Sequence, residues 1–252
     1  MTFNVAAESY DQFMGAWSGP LSPPFADFAQ ITPGMRVLDV GCGPGSLTAE
    51  LVARVGASHV AAVDPSEPFV AAARERYPGV DVRVAPAEAL PHPDGSFDAA
   101  LAQLVVHFMA DPVGGLREMM RVTRPGGIVA ACVWDHASDR GPLSVFWQAV
   151  HDLDPGAPNE SALAGAREGH LVELFGRAGL RDVIGGELSV TRRFARFDDW
   201  WHPFTLGVGP AGSYLAKLDA ARCEQFRERC RTLLPQGPFE MTAVAWAARG
   251  VR

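Results

Sequence analysis

From Met35 onward, short runs of apolar residues alternate with longer segments whose apolar residues recur at helical spacing. The apolar runs predict strands, which read M-R-V-L-D-V, H-V-A-A-V-D, V-D-V-R-V-A, F-D-A-A-L-A and G-I-V-A-A-C-V-W in chain order. The segments between them predict helices near residues 46–55, 66–77 and 112–123. Strands that are apolar throughout and separated by helices are typical of a mostly parallel sheet covered on both faces. Because such crossovers are right-handed, residues 35–134 are predicted to form a doubly wound α/β core.

The segments on either side of that core follow a less regular pattern. Residues 1–30 predict one or two short helices, interrupted by turns at Gly19-Pro20 and Pro23-Pro24. After the core, the pattern predicts helices near 142–151 and 167–178, a strand around 181–194 and a last strand over 239–249. Residues 195–236 predict a helical insertion with an apolar stripe formed by Ala220, Cys223, Phe226, Cys230 and Leu233. We expect a single domain over residues 1–252 with an N-terminal helical lid and a helical cap.

The segment Val37–Thr48 (V-L-D-V-G-C-G-P-G-S-L-T) takes an apolar strand into a glycine-rich loop and then a helix. Gly41, Gly43 and Gly45 would let the backbone turn sharply and approach a ligand at the carboxyl edge of the sheet. Dinucleotide-binding loops place the third glycine five residues after the first, whereas here it comes four residues after. Asp39 suits a cationic aminoacyl ligand better than a pyrophosphate, and no Gly-Lys-Ser/Thr follows. An ordinary glycine-rich turn is the alternative to a ligand site.

The second predicted strand ends at Asp64, which Pro65 and Ser66 follow. An acidic residue in this place, about 20 residues after the glycine loop, accepts hydrogen bonds from ribose hydroxyls. The same residues suit a helix N-cap. Both roles are compatible if Asp64 serves the ribose and Ser66 begins the helix.

Composition narrows the classes of function. The chain has 252 residues, 48% hydrophobic, and a net charge of −7 with interspersed charges, so no basic face predicts nucleic-acid binding. It has no apolar run long enough to span a bilayer and no signal-peptide pattern at its N-terminus, so we expect a cytoplasmic protein that does not bind membranes. Four cysteines without a paired spacing fit a reducing compartment, and we expect no metal site.

Four motifs occur in one order: L-D-V-G-C-G-P-G, V-D-P-S, A-E-A-L-P-H-P-D-G-S-F-D and E-M-M-R-V-T-R-P-G-G. Together they resemble the class I S-adenosylmethionine-dependent methyltransferases, which have a Rossmann-like fold. The likeness is greatest to the small-molecule group that includes the ubiquinone and menaquinone biosynthesis C-methyltransferases. It covers roughly residues 35–134, and it implies S-adenosylmethionine as cofactor and a small-molecule methyl acceptor.

The resemblance also implies roles for particular residues. Asp39 and the loop from Gly41 to Gly45 would hold the methionine end of the cofactor, Asp64 both ribose hydroxyls, and Ala87-Glu88 the adenine. We add Pro65, Gln103 and Tyr10 as candidate cofactor contacts, with helix packing as the alternative for Tyr10, Met14 and Trp17.

Three positions depart from the family pattern. Pro86 stands where many members carry an Asp that binds the adenine amino group, so adenine recognition would use backbone groups or Glu88. His92 replaces a usual Phe, in what we take to be a loop. Gln103-Leu104-Val105-Val106 stands in place of the N-P-P-Y of many amino-group methyltransferases, which disfavours nucleic-acid bases and protein amides as acceptors.

The methyl acceptor would lie beyond the fourth and fifth strands. His107 is the candidate general base, since an imidazole titrates near neutrality; the alternative is packing against the cofactor pocket. Asp135-His136 either faces the same space or is solvated. The insertion contains Phe194, Phe197, Trp200, Trp201 and Phe204, which either roof an apolar acceptor or form a private core.

Two other classes of function stay open at this stage. One is an NAD-dependent oxidoreductase, which the glycine spacing disfavours. The other is a protein that binds S-adenosylmethionine without transferring its methyl group, because methyl transfer asks little of the protein beyond alignment.

Overall fold

A computed structural model describes residues 7–157 and 160–252. Within them, seven strands form one sheet in the order β3-β2-β1-β4-β5-β7-β6. The strands are β1 (Val37–Val40), β2 (Val60–Asp64), β3 (Asp81–Val84), β4 (Phe97–Gln103), β5 (Thr123–Trp134), β6 (Arg181–Phe194) and β7 (Phe239–Val251). Strands β1 to β5 are parallel, and β7 runs antiparallel to both of its neighbours.

Helices cover both faces of the sheet. They are α1 (Ala7–Tyr10), α2 (Ala16–Phe28), α3 (Ser46–Val55), α4 (Glu67–Arg76), α5 (Pro112–Val122), α6 (Ser144–Leu153), α7 (His170–Ala178), α8 (Phe197–Trp201), α9 (Gly209–Leu215) and α10 (Ala220–Leu233). Successive strand residues point to opposite faces. Val37 belongs to the apolar core that α2 and α3 help to form, and Leu38 to the core under α5 and α7. Both cores are apolar because these strands are apolar throughout.

The predicted doubly wound α/β fold is confirmed. Each predicted strand and each predicted helix from residue 35 to the last strand appears within a few residues of its expected bounds. The antiparallel direction of β7 was not predicted, because an apolar run looks the same read in either direction. The chain reaches β7 through the insertion rather than through a crossover helix, and this connection lets the last strand run the opposite way.

The N-terminal segment corrects one prediction. Helix α2 runs unbroken through Pro20, Pro23 and Pro24, where the sequence predicted turns. Pro20 and Pro23 are exposed, so carbonyl groups that lose a helical donor there can bind water. Leu21 and Phe25, on the opposite side, are fully buried against the sheet and α3. Tertiary packing therefore keeps the helix intact, although proline disfavours it locally. Of the predicted lid, residues 1–6 lie outside the described part of the chain.

The insertion consists of α8, a 3₁₀ turn (His202–Leu206), α9 and α10. It packs on α6 and on the π-helical turn Asp11–Gly15. Phe226 and Cys230, in the middle of the predicted apolar stripe, are buried, whereas Ala220 at its start is exposed.

No helix in the described ranges has both the length and the apolar character needed to cross a bilayer.

Candidate functional site

A cleft opens at the carboxyl edge of the sheet, where the strand order reverses between β1 and β4. Gly41 follows β1, Asp64 ends β2 and Gln103 ends β4, and all three line the cleft. Its volume of about 510 Å³ falls in the range of small-molecule sites. The parallel topology therefore brings residues distant in sequence to one ligand-sized space.

Asp39 lies at a narrower pocket that shares Gly41, Gly43 and Gln103 with the cleft. Its side chain is buried, and its Oδ2 accepts a hydrogen bond of 2.7 Å from Thr48 Oγ1. Its Oδ1 has no hydrogen-bond partner among the described residues. Burial raises the pKa of Asp39 to about 7, against the lowering effect of the Thr48 hydrogen bond. A buried carboxylate oxygen without a donor fits a cationic ligand that brings one.

The three loop glycines serve different purposes. Gly41 and Gly45 have positive φ, and a Cβ at either would lie 2.4 Å from a side-chain carbon, of Val105 and Tyr77 respectively. Gly43 also has positive φ, and a Cβ on it would meet only Tyr10, at 4.0 Å, so of the two glycines that line the cleft Gly43 is the one with open space before it. Gly45 does not line the cleft; it precedes α3 in a left-handed conformation and makes room for Tyr77. All three positions favour glycine through their backbone conformation, and Gly41 and Gly45 also through close packing.

Asp64 holds the two loops beside it. Its Oδ2 accepts from Gly43 N at 2.9 Å and its Oδ1 from Ser66 N at 2.8 Å. Burial raises the pKa of Asp64, while those two backbone donors lower it. Each carboxylate oxygen can accept a second hydrogen bond, so the side chain can still receive ribose hydroxyls. Pro65 lines the cleft beside it. Ser66 is the N-cap of α4, so Asp64 is free of that role, and its contact with the ribose stays a prediction.

The segment expected along the adenine also borders the cleft. Pro86, Ala87 and Glu88 line it, Ala87 being buried and Glu88 half-buried. Glu88 Oε1 accepts a hydrogen bond of 3.2 Å from the backbone of Asp111, the N-cap of α5. This contact ties one wall of the cleft to the start of α5. Recognition of adenine through Glu88 stays a prediction.

Gln103 connects the cleft to α2. Its Nε2 donates to Ser18 O and Ser22 Oγ, both at 3.0 Å, and its buried Oε1 has no partner among the described residues. Tyr10 lines the cleft, the pocket of Asp39 and a second cavity, and its ring packs edge-on against Phe69. Burial, with the nearby charge of Asp64, raises the pKa of Tyr10. Both residues place the N-terminal helical segment against the cleft.

A second cavity of about 40 Å³ adjoins the cleft, with which it shares Tyr10, Leu104 and Phe108. Leu104 has φ +63°, a conformation that L-residues other than Asn and Asp rarely adopt, and it separates the two spaces. His107 lines the cavity, and its buried Nδ1 has no partner among the described residues. Burial lowers the pKa of His107 to about 3, helped by the neighbouring His136.

His136 lines the same cavity from the end of β5. Its side chain is 7% exposed, and its Nδ1 lies 3.9 Å from Glu160 Oε2. Glu160 accepts a hydrogen bond of 2.8 Å from Trp147 Nε1, and burial raises its pKa. Burial likewise lowers the pKa of His136 to about 4, against the opposite effect of Asp135. Asp135 itself turns away from the cavity and binds Arg140 Nε and Ser138 N.

Sequence reasoning did not single out Trp134 or Glu160, which also line this cavity. For Trp134 a signal existed, since it ends the predicted fifth strand just before Asp135-His136. Glu160 lies in a loop after α6, far from His136 in sequence and outside any motif.

The aromatic residues of the insertion form its own core. Trp200 and Trp201 are buried, and Phe204 stacks on Phe146 with ring centroids 4.8 Å apart. None of these four lines the cleft or the second cavity, where the insertion contributes Val208, Gly209 and Pro210 instead. Of the two alternatives, the structure therefore favours the private core over the roof for Trp200 and Trp201. Near the N-terminus, Met14 lines the second cavity, whereas Trp17 is buried against Phe194.

The charges around the cleft have one sign. Asp64, Glu67 and Glu88 line it, Asp39 lies beside it, and no Lys or Arg is among the described residues that line it. A ligand with net positive charge fits this cleft, and a pyrophosphate does not. Within the described residues, no group of three His, Cys, Asp or Glu side chains is placed to hold a metal ion.

Comparison with known proteins gives a consistent result. Residues 38–131 match the family described as methyltransferase domain. The chain is similar to the uncharacterized protein Mb1438c of Mycobacterium bovis, with 31% identity over 91% of this chain and 86% of that protein. It is also similar to the malonyl-[acyl-carrier protein] O-methyltransferase of Salmonella typhimurium, with 40% identity over 45% of this chain. The chain spans about half the length of several curated relatives, 44% in the Salmonella case.

Among solved structures, the fold is similar to that of phosphoethanolamine N-methyltransferase 2 of Haemonchus contortus in complex with S-adenosyl-L-methionine. The TM-score is 0.59, and the match covers 97% of this chain and 56% of that one. At 16% sequence identity, this likeness concerns the fold alone.

Proposed function

The chain belongs to the class I S-adenosylmethionine-dependent methyltransferases, and on that premise we propose that it transfers the methyl group of S-adenosylmethionine to a small-molecule acceptor. The observation that carries the proposal is the buried Oδ1 of Asp39, which has no partner among the described residues and lies at the pocket beside an acidic cleft. At neutral pH the cofactor carries a sulfonium and an ammonium group against a single carboxylate. The net positive charge of the cofactor complements this acidic cleft, whereas the negatively charged pyrophosphate of NAD does not.

We assign the cofactor contacts as follows. Asp39 Oδ1 receives the ammonium group, and Gly43 lets the methionine end approach the backbone of the loop. Asp64 accepts from the ribose hydroxyls while it keeps its two backbone donors. The adenine lies along Ala87 and Glu88. When bound, the cofactor supplies an electrophilic methyl group from its sulfonium centre.

The second cavity is the proposed place of the reacting end of the acceptor. It adjoins the cleft at Leu104 and Phe108, and its lining is mostly apolar. Among the described residues that line it, none is Lys or Arg, which supports a neutral acceptor over a carboxylate or phosphate. The chain's contribution is to align the acceptor with the methyl group, exclude water and take up a proton where the acceptor loses one. The sequence predicts His107 for this proton, but its burial, which lowers its pKa to about 3, disfavours proton uptake there.

The remaining expectations are proposals of the same kind. The net charge of −7 and the acidic cleft support a small molecule rather than a nucleic acid as substrate. Four free cysteines support a cytoplasmic location, which cell fractionation tests.

The test has two parts. Calorimetry should show that S-adenosylmethionine and S-adenosylhomocysteine bind, with NAD and ATP as negative controls. The protein is then incubated with S-adenosylmethionine labelled in its methyl group and a panel of neutral hydroxyl, amine and thiol compounds. Label in a small-molecule product supports the proposal. Tight cofactor binding without transfer to any compound would instead support a protein that uses the cofactor as a bound ligand only.

A further inference from the structure

Three residues that line the second cavity each carry a buried nitrogen without a hydrogen-bond partner: Trp134 Nε1, His107 Nδ1 and His136 Nε2. The statement concerns partners within residues 7–157 and 160–252. Because a buried polar group left unpaired destabilises a protein, three of them on residues around one small space point to a polar group of a ligand.

The chemistry of these nitrogens defines that group. Indole Nε1 is only a donor, so the ligand atom must offer a lone pair to Trp134. Neutral imidazole Nε2 of His136 can accept a proton from the same atom. A hydroxyl group does both at once. A carbon nucleophile offers no lone pair to the indole, and an amine would tie up the lone pair with which it attacks.

A carboxylate distinguishes His136 from His107. Glu160 Oε2 lies 3.9 Å from His136 Nδ1, within range of an ion pair once the imidazole is charged. No described Asp or Glu forms such a pair with His107. On this geometry Glu160 adds to Asp135 as a carboxylate that stabilises a proton taken up at Nε2 of His136, whereas His107 has no such partner among the described residues.

Resting on the function proposed above, we propose that His136 and Glu160 form the proton-accepting pair of the methyl transfer, and that the acceptor is a neutral compound whose hydroxyl group lies between Trp134 and His136. His107 is then a neutral wall of the same cavity. The His136 imidazole touches the reacting hydroxyl, and Glu160 acts through it as a positioning residue.

The step balances without an oxidant or reductant. The acceptor oxygen forms a bond to the methyl carbon, whose bond to sulfur breaks and leaves its electron pair on sulfur, while the hydroxyl proton goes to His136 Nε2. The products are the methyl ether, S-adenosylhomocysteine and one proton held by the pair. His136 and Glu160 also line an outer cavity of about 170 Å³, together with Asp139 and His151. Through this outer cavity the proton can pass from the His136–Glu160 pair to solvent without crossing the bound acceptor.

Other charged and titratable groups face the pair from several elements. Asp135 lies next to His136 in sequence and is tied to Arg140, which is in turn paired with Glu187. The remaining ones are His107 and Tyr10 in the second cavity and Asp139 and His151 in the outer cavity. The two histidines of the second cavity oppose each other's protonation, which favours one charged imidazole at a time.

The first experiment follows the imidazole signals by NMR titration and needs no acceptor. Loss of an opposite charge at this distance should lower the pKa of His136 in Glu160→Gln by at least one unit relative to wild type. His107→Gln, the matched control, should leave the pKa of His136 unchanged or slightly raised. An unchanged pKa of His136 in Glu160→Gln overturns the pair, whatever the enzyme methylates.

The second experiment measures turnover with the hydroxyl compounds of the labelled-methyl panel across pH. Turnover of the wild type should rise with pH as the pair loses its proton, and His136→Gln should reduce it about 10²–10⁴-fold. Trp134→Phe should raise KM more than it lowers kcat. His92→Gln, another buried histidine with an unpartnered nitrogen, is remote from both cavities and should behave as wild type.

The outcomes separate this proposal from the proposed function. Transfer to hydroxyl compounds that persists in both His136→Gln and Glu160→Gln overturns the base assignment but keeps the methyltransferase. Transfer confined to amines or thiols overturns the hydroxyl assignment. Absence of any transfer counts against the proposed function, and the NMR titration then decides the His136–Glu160 pair by itself. If His136→Gln fails to fold, Glu160→Gln and Trp134→Phe carry the same comparison.

Discussion

Cofactor binding should release a proton from Asp39, and substitution with Asn should abolish that release. Burial raises the pKa of this carboxyl to about 7, so near neutrality the ligand-free protein carries it partly protonated. A cationic ligand binds the ionised form, because Asp39 Oδ1 otherwise has no donor among the described residues. The affinity for the cofactor should therefore rise with pH up to about 7 and level off above it.

The size of the change in affinity follows from the distance between the pH and the pKa of Asp39. Each pH unit below about 7 requires deprotonation at a cost of ~1.4 kcal/mol, or tenfold in Kd. At pH 6 the wild type should thus bind S-adenosylhomocysteine about tenfold more weakly than at pH 8. Asp39→Asn should bind it ~10–100-fold more weakly than the wild type at pH 8, the loss expected for a charged hydrogen bond. The affinity of Asp39→Asn for S-adenosylhomocysteine should no longer change with pH around 7, because the titrating carboxyl is absent.

Stability should change in the opposite direction. The folded pKa of about 7 lies above the ordinary value near 4, so between these values the folded protein holds a proton that the unfolded chain has lost. The contribution of Asp39 to stability is present at low pH and is lost as pH rises through this window. Ligand-free Asp39→Asn should therefore be more stable than the wild type at pH 8, by at most ~4 kcal/mol.

Titration calorimetry at pH 6, 7 and 8, in two buffers of different ionisation enthalpy, measures both affinity and proton release. Glu67→Gln is the matched control, since Glu67 also lines the cleft but is exposed at its rim. It should keep the pH dependence of the wild type. Equal affinity of the wild type at pH 6 and pH 8, with no proton released, would refute the role assigned to Asp39.

Three further predictions concern the loop, the ribose contact and the insertion. Asp64→Ala should weaken S-adenosylhomocysteine binding ~10²-fold or more and lower the melting temperature. Asp64→Asn keeps one acceptor for a backbone donor and should retain more of both the affinity and the stability. If calorimetry gives Asp64→Ala the affinity of the wild type, the ribose assignment is wrong. Gly45→Ala should destabilise the protein through the clash with Tyr77, and thermal denaturation of the double variant with Tyr77→Ala should show partial recovery. Trp200→Ala should cost ~3–5 kcal/mol of unfolding free energy in denaturant titrations; a fully stable variant with altered acceptor choice would restore the roof interpretation.

The sequence predicts those parts of the fold that depend on the order of apolar and polar residues within a single strand or helix. The runs around Val37, Val60 and Ala99 are apolar throughout because both faces of these strands are buried, and the pattern records that directly. Asp39, Gly43 and Asp64 could be predicted to lie together because they stand at or just after the carboxyl ends of neighbouring parallel strands.

What the sequence did not predict depends on contacts between distant segments. Pro20 and Pro23 indicate turns locally, and only the burial of the opposite face of α2 keeps the helix unbroken. Glu160 becomes informative only when folding places it beside His136. Trp200 has the same aromatic character in a roof and in a core, so its neighbours alone decide between them.

The amide of Gln103 has a consequence for where this protein can be divided. Residues 38–131 carry the recognisable domain, yet Gln103 Nε2 finds both of its acceptors, Ser18 O and Ser22 Oγ, in α2. A fragment cut to 38–131 would remove both acceptors of that amide and would expose to water the apolar side of the sheet that α2 covers. The unit recognised by sequence is therefore smaller than the unit that folds. Domain swaps between relatives should carry α2 along with the strands it caps.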